Sequence, residues 1–163
     1  MEIERKFLVA HDGTYRDMAS SSSVIAQGYM NVEGATVRVR LRGDTAYLTI
    51  KGPSLDGGLS RYEFEREIPV EDAHEMMKLC KGGTIEKVRY LVPYHGHTWE
   101  VDEFHGLNEG LLFAEIELTA PDEPFDLPPF IGPEVTGNHF FYNKNMLRQP
   151  YPLWRHTLPQ EYQ

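Results

Sequence analysis

The chain has 163 residues, 40% hydrophobic and 25% charged, a balance that fits one globular domain with a sizeable core and excludes wholesale disorder. Its formal net charge of -9 argues against a general nucleic-acid binder, while leaving room for an anionic ligand wherever Arg and Lys gather locally. The single cysteine, Cys80, permits no intramolecular disulfide, and no apolar stretch approaches the ~20 residues of a membrane span, so a cytoplasmic protein without membrane attachment is expected.

Strand alternation begins at once. In Glu2-Ile3-Glu4-Arg5-Lys6-Phe7-Leu8-Val9, an extended chain puts Glu2, Glu4 and Lys6 on one face and Ile3, Arg5, Phe7 and Val9 on the other. His11 to Ser23 is polar and reads as a loop, with a short helix around Tyr15–Ala19. Val24 to Val32 reads as a strand in which Gly28 marks a bulge or a close approach. Thr36 to Arg42 alternates aliphatic residues with arginine, and the short Gly43-Asp44 turn makes Thr45 to Lys51 its antiparallel partner. Gly52 to Gly58 is a loop rich in turn residues. Arg61 to Ile68 alternates again, with Arg61, Glu63, Glu65 and Glu67 on one face, and Pro69 ends it.

Glu71 to Lys81 reads as a helix, with acids at its start, Lys78 and Lys81 at its end, and Gly82-Gly83 as a stop. Strands resume at Thr84 to Val92, with Lys87, Arg89 and Leu91 sharing a face, then at Thr98 to Phe104 and Leu112 to Leu118. His95 and His97 fall at the hairpin tip between the first two, where exposed turn residues are favoured over a metal pair. The tail carries Pro121, Pro124, Pro128, Pro129 and Pro133, and is expected to wander to a final helix near Glu134–Arg148. A domain spanning 1–149 then leaves residues 150–163 as a loose arm.

About eight strands joined mostly by short turns, with two or three helices, predict an antiparallel α+β domain, and the even count favours closure into a barrel. The charged faces collect Glu2, Glu4 and Lys6; Arg38 and Arg40; Lys51; Glu63 and Glu65; Lys87 and Arg89; Glu100 and Asp102; Glu115 and Glu117. A plain sheet with its charged face in water would explain the alternation. It explains less well why that face sorts into blocks of one sign per strand. Turned inward, basic strands would face acidic ones, and burying so much charge is costly unless it is paired or meets a ligand. A linear polyphosphate with a hard divalent cation meets both halves of that requirement: Arg and Lys for phosphate oxygens, paired carboxylates for the metal.

The opening Glu2-x-Glu4-x-Lys6 resembles the ExExK signature of the CYTH superfamily, the triphosphate tunnel metalloenzymes. The resemblance runs on through Arg38-x-Arg40, Lys51, Glu63-x-Glu65, Lys87-x-Arg89, Asp102 and Glu115-x-Glu117, covering about residues 2 to 145. It implies an eight-stranded antiparallel closed β-barrel with a charged lumen, flanking helices and a C-terminal helix over one tunnel end, to which Val135-Thr136 and Asn143-Lys144 are similar. It further implies triphosphate binding by Lys6, Arg38, Arg40, Lys51, Lys87 and Arg89, with Tyr29 near the tunnel mouth tuning substrate choice. Mg²⁺ or Mn²⁺ would be held by Glu2, Glu4, Asp102, Glu115 and Glu117. Lys6, Arg40, Lys87, Glu63 and Glu65 would act on the reaction itself, Glu63 and Glu65 as further ligands or water positioners. Inorganic triphosphatase is the branch it resembles most. Class IV adenylyl cyclase, thiamine triphosphatase and a non-catalytic polyphosphate-binding module stay open as alternatives, and a homodimer is compatible with the resemblance.

Overall fold

A computed structural model describes residues 1–163, whose backbone is organised by one antiparallel sheet of ten strands. They are β1 (Glu2–Val9), β2 (Ser21–Met30), β3 (Thr36–Arg42), β4 (Thr45–Lys51), β5 (Ser60–Arg61), β6 (Glu63–Ile68), β7 (Ile85–Tyr94), β8 (His97–His105), β9 (Leu112–Leu118) and β10 (Ile131–Glu134). Neighbours run β10-β1-β9-β8-β7-β2-β3-β4-β6, and β5 pairs with β1. Only Tyr62 separates β5 from β6, so one stretch of chain pairs with β4 on one side and with β1 on the other. That closes the ring. The seam consists of Glu2 opposite Arg61, Ile3 opposite Ser60, and a 2.9 Å bond from the Glu4 N–H to the Leu59 carbonyl.

The sequence predicts eight strands and the structure has ten, for two local reasons. Eight staves form the ring, but the one after the Gly-rich loop is broken at Tyr62 into β5 and β6. Strand β10 lies outside the ring beside the second half of β1, where the proline-rich composition of its segment hid it. The serine run also belongs to a strand: β2 begins at Ser21, paired with Leu91. The hairpin between β7 and β8 turns on His95 and Gly96, both at positive φ, as a two-residue hairpin turn requires.

Three apolar clusters account for the outside and one end of the ring. Helix α1 (Thr14–Met18) and the 119–130 loop cover the outer face of β1, β7, β8 and β9, with Trp99, Val101, Ile116, Tyr15 and Phe130 at its centre. Helix α2 (Val70–Met77) is shorter than the sequence predicts, though single-turn bonds carry the chain on to Cys80. Its Ala73, Met76, Met77 and Cys80 pack on β2, β3 and β4 through Val39 and Ala46. Gly28 is the close approach suspected from the sequence, since a Cβ there would lie 2.8 Å from that of Cys80.

The third cluster lies at one end of the lumen. Continuing the inward parity of the charged rows leads from Lys6 to Leu8, from Lys87 to Ile85, from Asp102 to Phe104 and from Glu115 to Phe113. These four apolar side chains are buried together with Phe141, Met146, Tyr151, Trp154 and Leu158 of the C-terminal segment. The predicted helix at Glu134–Arg148 is therefore not formed. After β10, Gly137 takes a positive φ against the Gly57 carbonyl, and two short 3₁₀ turns follow at His139–Phe141 and Asn143–Leu147. Nor is the stretch 150–163 a loose arm. Trp154, 2% exposed, stacks on Phe140 at 5.0 Å, meets Phe141 and Tyr151 edge-on, and donates its indole N–H to the Gln149 carbonyl at 2.9 Å.

Replacing that indole by a methyl group empties the centre of the cluster. Trp154→Ala is expected to cost ~3–5 kcal/mol of stability, read as a lower urea midpoint at unchanged slope; an unaltered midpoint would mean that the tail does not close the barrel end.

Candidate active site: a charged tunnel

Alternation on a closed ring sends every second side chain into one interior cavity, whose volume is about 230 Å³. Of its 21 lining residues only two, Tyr29 and Tyr142, are hydrophobic. Glu2, Glu4, Lys6, Tyr29, Arg38, Arg40, Lys51, Glu63, Glu65, Lys87, Arg89, Glu115 and Glu117 all line it, as the sequence predicts. Nine lining side chains are Lys or Arg and seven are Glu, so the cavity favours a net anion although the whole chain carries -9.

Asp102 is the predicted residue that does not reach the cavity. At 1% exposure it lies behind the wall, its Oδ1 accepting from Arg89 Nε at 2.7 Å and its Oδ2 from Arg89 Nη2 at 2.8 Å and Lys87 Nζ at 2.7 Å. Burial alone would raise its pKa, but the two cations outweigh burial and hold it well below the usual carboxylate range. With both oxygens committed, Asp102 anchors Lys87 and Arg89 rather than offering a metal ligand. Glu100, one pleat along the same face, takes the cavity position instead and accepts from Arg89 Nη1 at 2.6 Å.

Most of the other cations are placed by longer contacts. Lys51 lies 2.9 Å from Glu2 and 3.4 Å from Glu63, and Arg61 Nε donates to Glu2 at 3.2 Å. Arg38 donates to Thr49 Oγ1 at 3.1 Å and to Glu65 at 3.3 Å. Lys6 sits 3.6 Å from Glu4 and 4.6 Å from the centre of the Tyr142 ring. Arg40 has no carboxylate partner; its Nε donates to Gln27 Oε1 at 2.8 Å. Burial, reinforced by Arg38 and Arg89, pushes Arg40 below the ordinary arginine range. Burial likewise lowers Lys87, against the pull of Asp102 and with the repulsion of Arg89 and Arg40. Arg40 is held with no acid bonded to it, and Lys87 shares its one acid with Arg89, a condition under which an incoming anion gains.

The acids show the mirror image. Glu4 stands opposite Glu117, and Glu115 is flanked by Lys6 on one strand and Glu100 on the other. Burial and then the neighbouring Glu4 raise the pKa of Glu115; burial and then Glu2, Glu100 and Glu4 raise that of Glu117. For Glu2, burial and a hydrogen bond with Glu63 outweigh Lys51. Negative charge in excess of its local partners is what a divalent cation would relieve. No three His, Cys, Asp or Glu side chains are grouped around one point. One or two carboxylates at a time suit a small hard cation, which keeps waters and shares phosphate oxygens with its substrate. The donor set therefore fits Mg²⁺ or Mn²⁺. His95 and His97 lie outside the tunnel, paired with Asp126 and Glu123 of the 119–130 loop.

Several lining residues escaped the sequence reading. Arg42 continues the two-residue step of Arg38 and Arg40, and Arg61 shares its parity with Glu63, so a stricter count would have found both; Gln27, one pleat from Tyr29, lies fully buried behind the lining. Tyr142 and Asn145 carry no such signal, because they enter from irregular chain. Tyr29 is placed in the wall at 8% exposure, its hydroxyl accepting from Gln27 Nε2 at 2.6 Å.

A sequence profile described as the CYTH domain matches residues 1–134. This chain belongs to the CYTH domain family. Its CYTH relatives include an inorganic triphosphatase of Acetivibrio thermocellus, 47% identical over 92% of this chain and 95% of that one. An inorganic triphosphatase of Nitrosomonas europaea is 36% identical over 88% of this chain and 94% of that one. Among solved structures, a crystal structure of an inorganic triphosphatase superposes with a TM-score of 0.61 at 28% identity, over 90% of this chain and 94% of the other. The match to the CYTH profile ends before Tyr142, so four cavity residues, 142–145, lie beyond it.

Two measurements test the electrostatic layout. Asp102→Ala strands two buried cations and is expected to cost ~3–5 kcal/mol in denaturant unfolding. Glu115→Gln should act oppositely in metal-free buffer. A carboxylate with a raised folded pKa makes the native state the better proton binder, so stability falls as pH rises from the ordinary value of 4.5 through the folded value. The glutamine variant should have the higher urea midpoint at pH 7, with the difference closing as pH approaches 4.5.

Proposed function

We propose that this chain hydrolyses the terminal phosphoanhydride of inorganic triphosphate held in the tunnel, with Mg²⁺ or Mn²⁺ bound by tunnel carboxylates. The observation that carries this reading is the cavity itself: net cationic, rich in carboxylates and lined by only two hydrophobic side chains. The names of the CYTH relatives point the same way. An adenine or thiamine ring would need apolar wall, and the two tyrosines are already engaged, Tyr29 by Gln27 and Tyr142 by Lys6. That supports the inorganic substrate over a nucleotide cyclase or a thiamine triphosphatase.

Phosphoryl transfer asks the protein mainly for positioning and charge neutralisation. Lys6, Arg38, Arg40, Lys51, Lys87 and Arg89 bind the phosphate oxygens and hold the chain extended along the tunnel. Lys6, Arg40 and Lys87 stabilise the charge that grows on the transferred phosphoryl group and on the leaving oxygen as the bridging P–O bond breaks. Glu63 and Glu65 face the same cavity and remain reachable by water, so they orient the water whose oxygen becomes bonded to the terminal phosphorus. Glu2, Glu4, Glu115 and Glu117 would hold the cation one or two at a time, Glu2 by exchanging its bonds to Lys51 and Arg61, with Glu100 beside them. When bound, that cation neutralises phosphate oxygens and lowers the pKa of coordinated water.

Incubation with tripolyphosphate, ATP or thiamine triphosphate and either metal, followed by assay of orthophosphate, pyrophosphate and cyclic AMP, separates the alternatives. Orthophosphate from tripolyphosphate at the highest kcat/KM is expected; cyclic AMP with pyrophosphate from ATP would overturn the hydrolase reading. Glu4→Gln and Glu117→Gln should each lower activity about 100-fold at limiting metal, with partial recovery as metal is raised. Arg40→Ala should lose about 100-fold in kcat/KM without such recovery.

A further inference from the structure

Two neutral side chains occupy positions in the tunnel wall where carboxylates would have been the obvious partners for cations. Gln27, fully buried at 0% exposure, accepts from Arg40 Nε at 2.8 Å through its Oε1. Asn143 accepts from Lys87 Nζ at 3.0 Å through its Oδ1. The two amides are themselves joined, since Gln27 Nε2 donates to Asn143 Oδ1 at 3.2 Å as well as to the Tyr29 hydroxyl at 2.6 Å. A continuous chain of hydrogen bonds thus runs from Arg40 through Gln27 and Asn143 to Lys87, and on to Asp102.

We propose that Gln27 and Asn143 form a carboxamide clamp, a pair of positioning residues that fixes the direction of Arg40 and Lys87 while leaving their positive charge available to the anion. The inference rests on the triphosphatase reading for its substrate and goes beyond it in assigning these two residues. The chemistry follows from what an amide can and cannot do. Its carbonyl oxygen accepts a hydrogen bond as a carboxylate does, so it can fix the orientation of a guanidinium or an ammonium. It carries no net charge, so it does not cancel the cation it holds. Arg40 bonded through Nε keeps both terminal nitrogens for phosphate, the donor pair best matched to that group. Lys87 has already given up one N–H to Asp102; a second carboxylate on its Nζ would leave it with little attraction for a ligand. Asn143 comes from the C-terminal segment, so the packing that closes the barrel end also sets the direction of a cation in the wall.

The clamp separates two effects that a merely structural role would not separate. Gln27→Glu and Asn143→Asp keep size and acceptor but add a negative charge against the cations. Each should raise KM for tripolyphosphate about tenfold or more, with thermal stability equal to or above that of the native chain. Asn143→Leu and Gln27→Met keep the charge balance but remove the acceptor; each should lower kcat about 10- to 100-fold, the cost of a misdirected group, with KM changed less. Tripolyphosphate affinity measured by calorimetry supplies a second readout that does not need turnover. A native chain that binds tripolyphosphate without hydrolysing it would refute the triphosphatase reading alone, and the clamp would then be judged on the affinities of the charged variants. Folded Gln27→Glu and Asn143→Asp proteins whose affinity and KM stay within twofold of native would overturn the clamp. So would a native chain that does not bind tripolyphosphate at all.

Discussion

Asp102 is the point on which the interior depends. Lys87 and Arg89 are both buried in the barrel wall, and two dehydrated cations side by side would not stay charged without compensation. One carboxylate placed between them accepts three hydrogen bonds and cancels one of the two charges. The triad therefore keeps a single net positive charge, fixed in direction, with its cost of burial largely met. Around it the charge is left progressively less balanced. Arg40 has an amide in place of an acid, and Glu115 and Glu117 are crowded by other acids. The wall is stable because most of its ions are paired, and receptive because Arg40, Glu115 and Glu117 have no opposite charge bonded to them.

This grading explains what was legible in the sequence. Parity along a strand decides which face a side chain takes, so the row Glu2, Glu4, Lys6 and its counterparts could be placed in one lumen before any coordinates were known. Parity says nothing of depth. Glu100 and Asp102 share a face and differ by one pleat, yet one reaches the cavity and the other is sealed behind it. Asp102, expected among the metal ligands, is placed behind the lining for that reason. The same rule, carried one step further, would have shown the rows turning apolar at Leu8, Ile85, Phe104 and Phe113, and so announced a plugged end.

What closes that end could not be read. Residues 135–163 form short turns whose order comes from aromatic packing, and such turns have no hydrophobic period to reveal them. Their partners are remote in sequence, as when Asn143 meets Gln27 and Lys87, and Gly137 meets Gly57. A run of prolines suggested wandering chain; instead the segment adds a strand to β1, with Arg5 and Glu134 joined by two side-chain bonds across the pair.

The interruption at Tyr62 gives the barrel an unequal hoop. Seven of its eight joints are long ladders, while the joint between β1 and β5 is two paired residues, helped by the ion pairs of Glu2 with Arg61 and Lys51. A ring yields where it is least bonded, so sideways breathing is expected to concentrate at the joint between β1 and β5. Amide exchange should be fastest there among the staves, and extra residues fused ahead of Met1 would load the clasp directly. The same Glu2 that lines the tunnel is thus also part of its fastening, which ties the tightness of the hoop to the charge state of its contents.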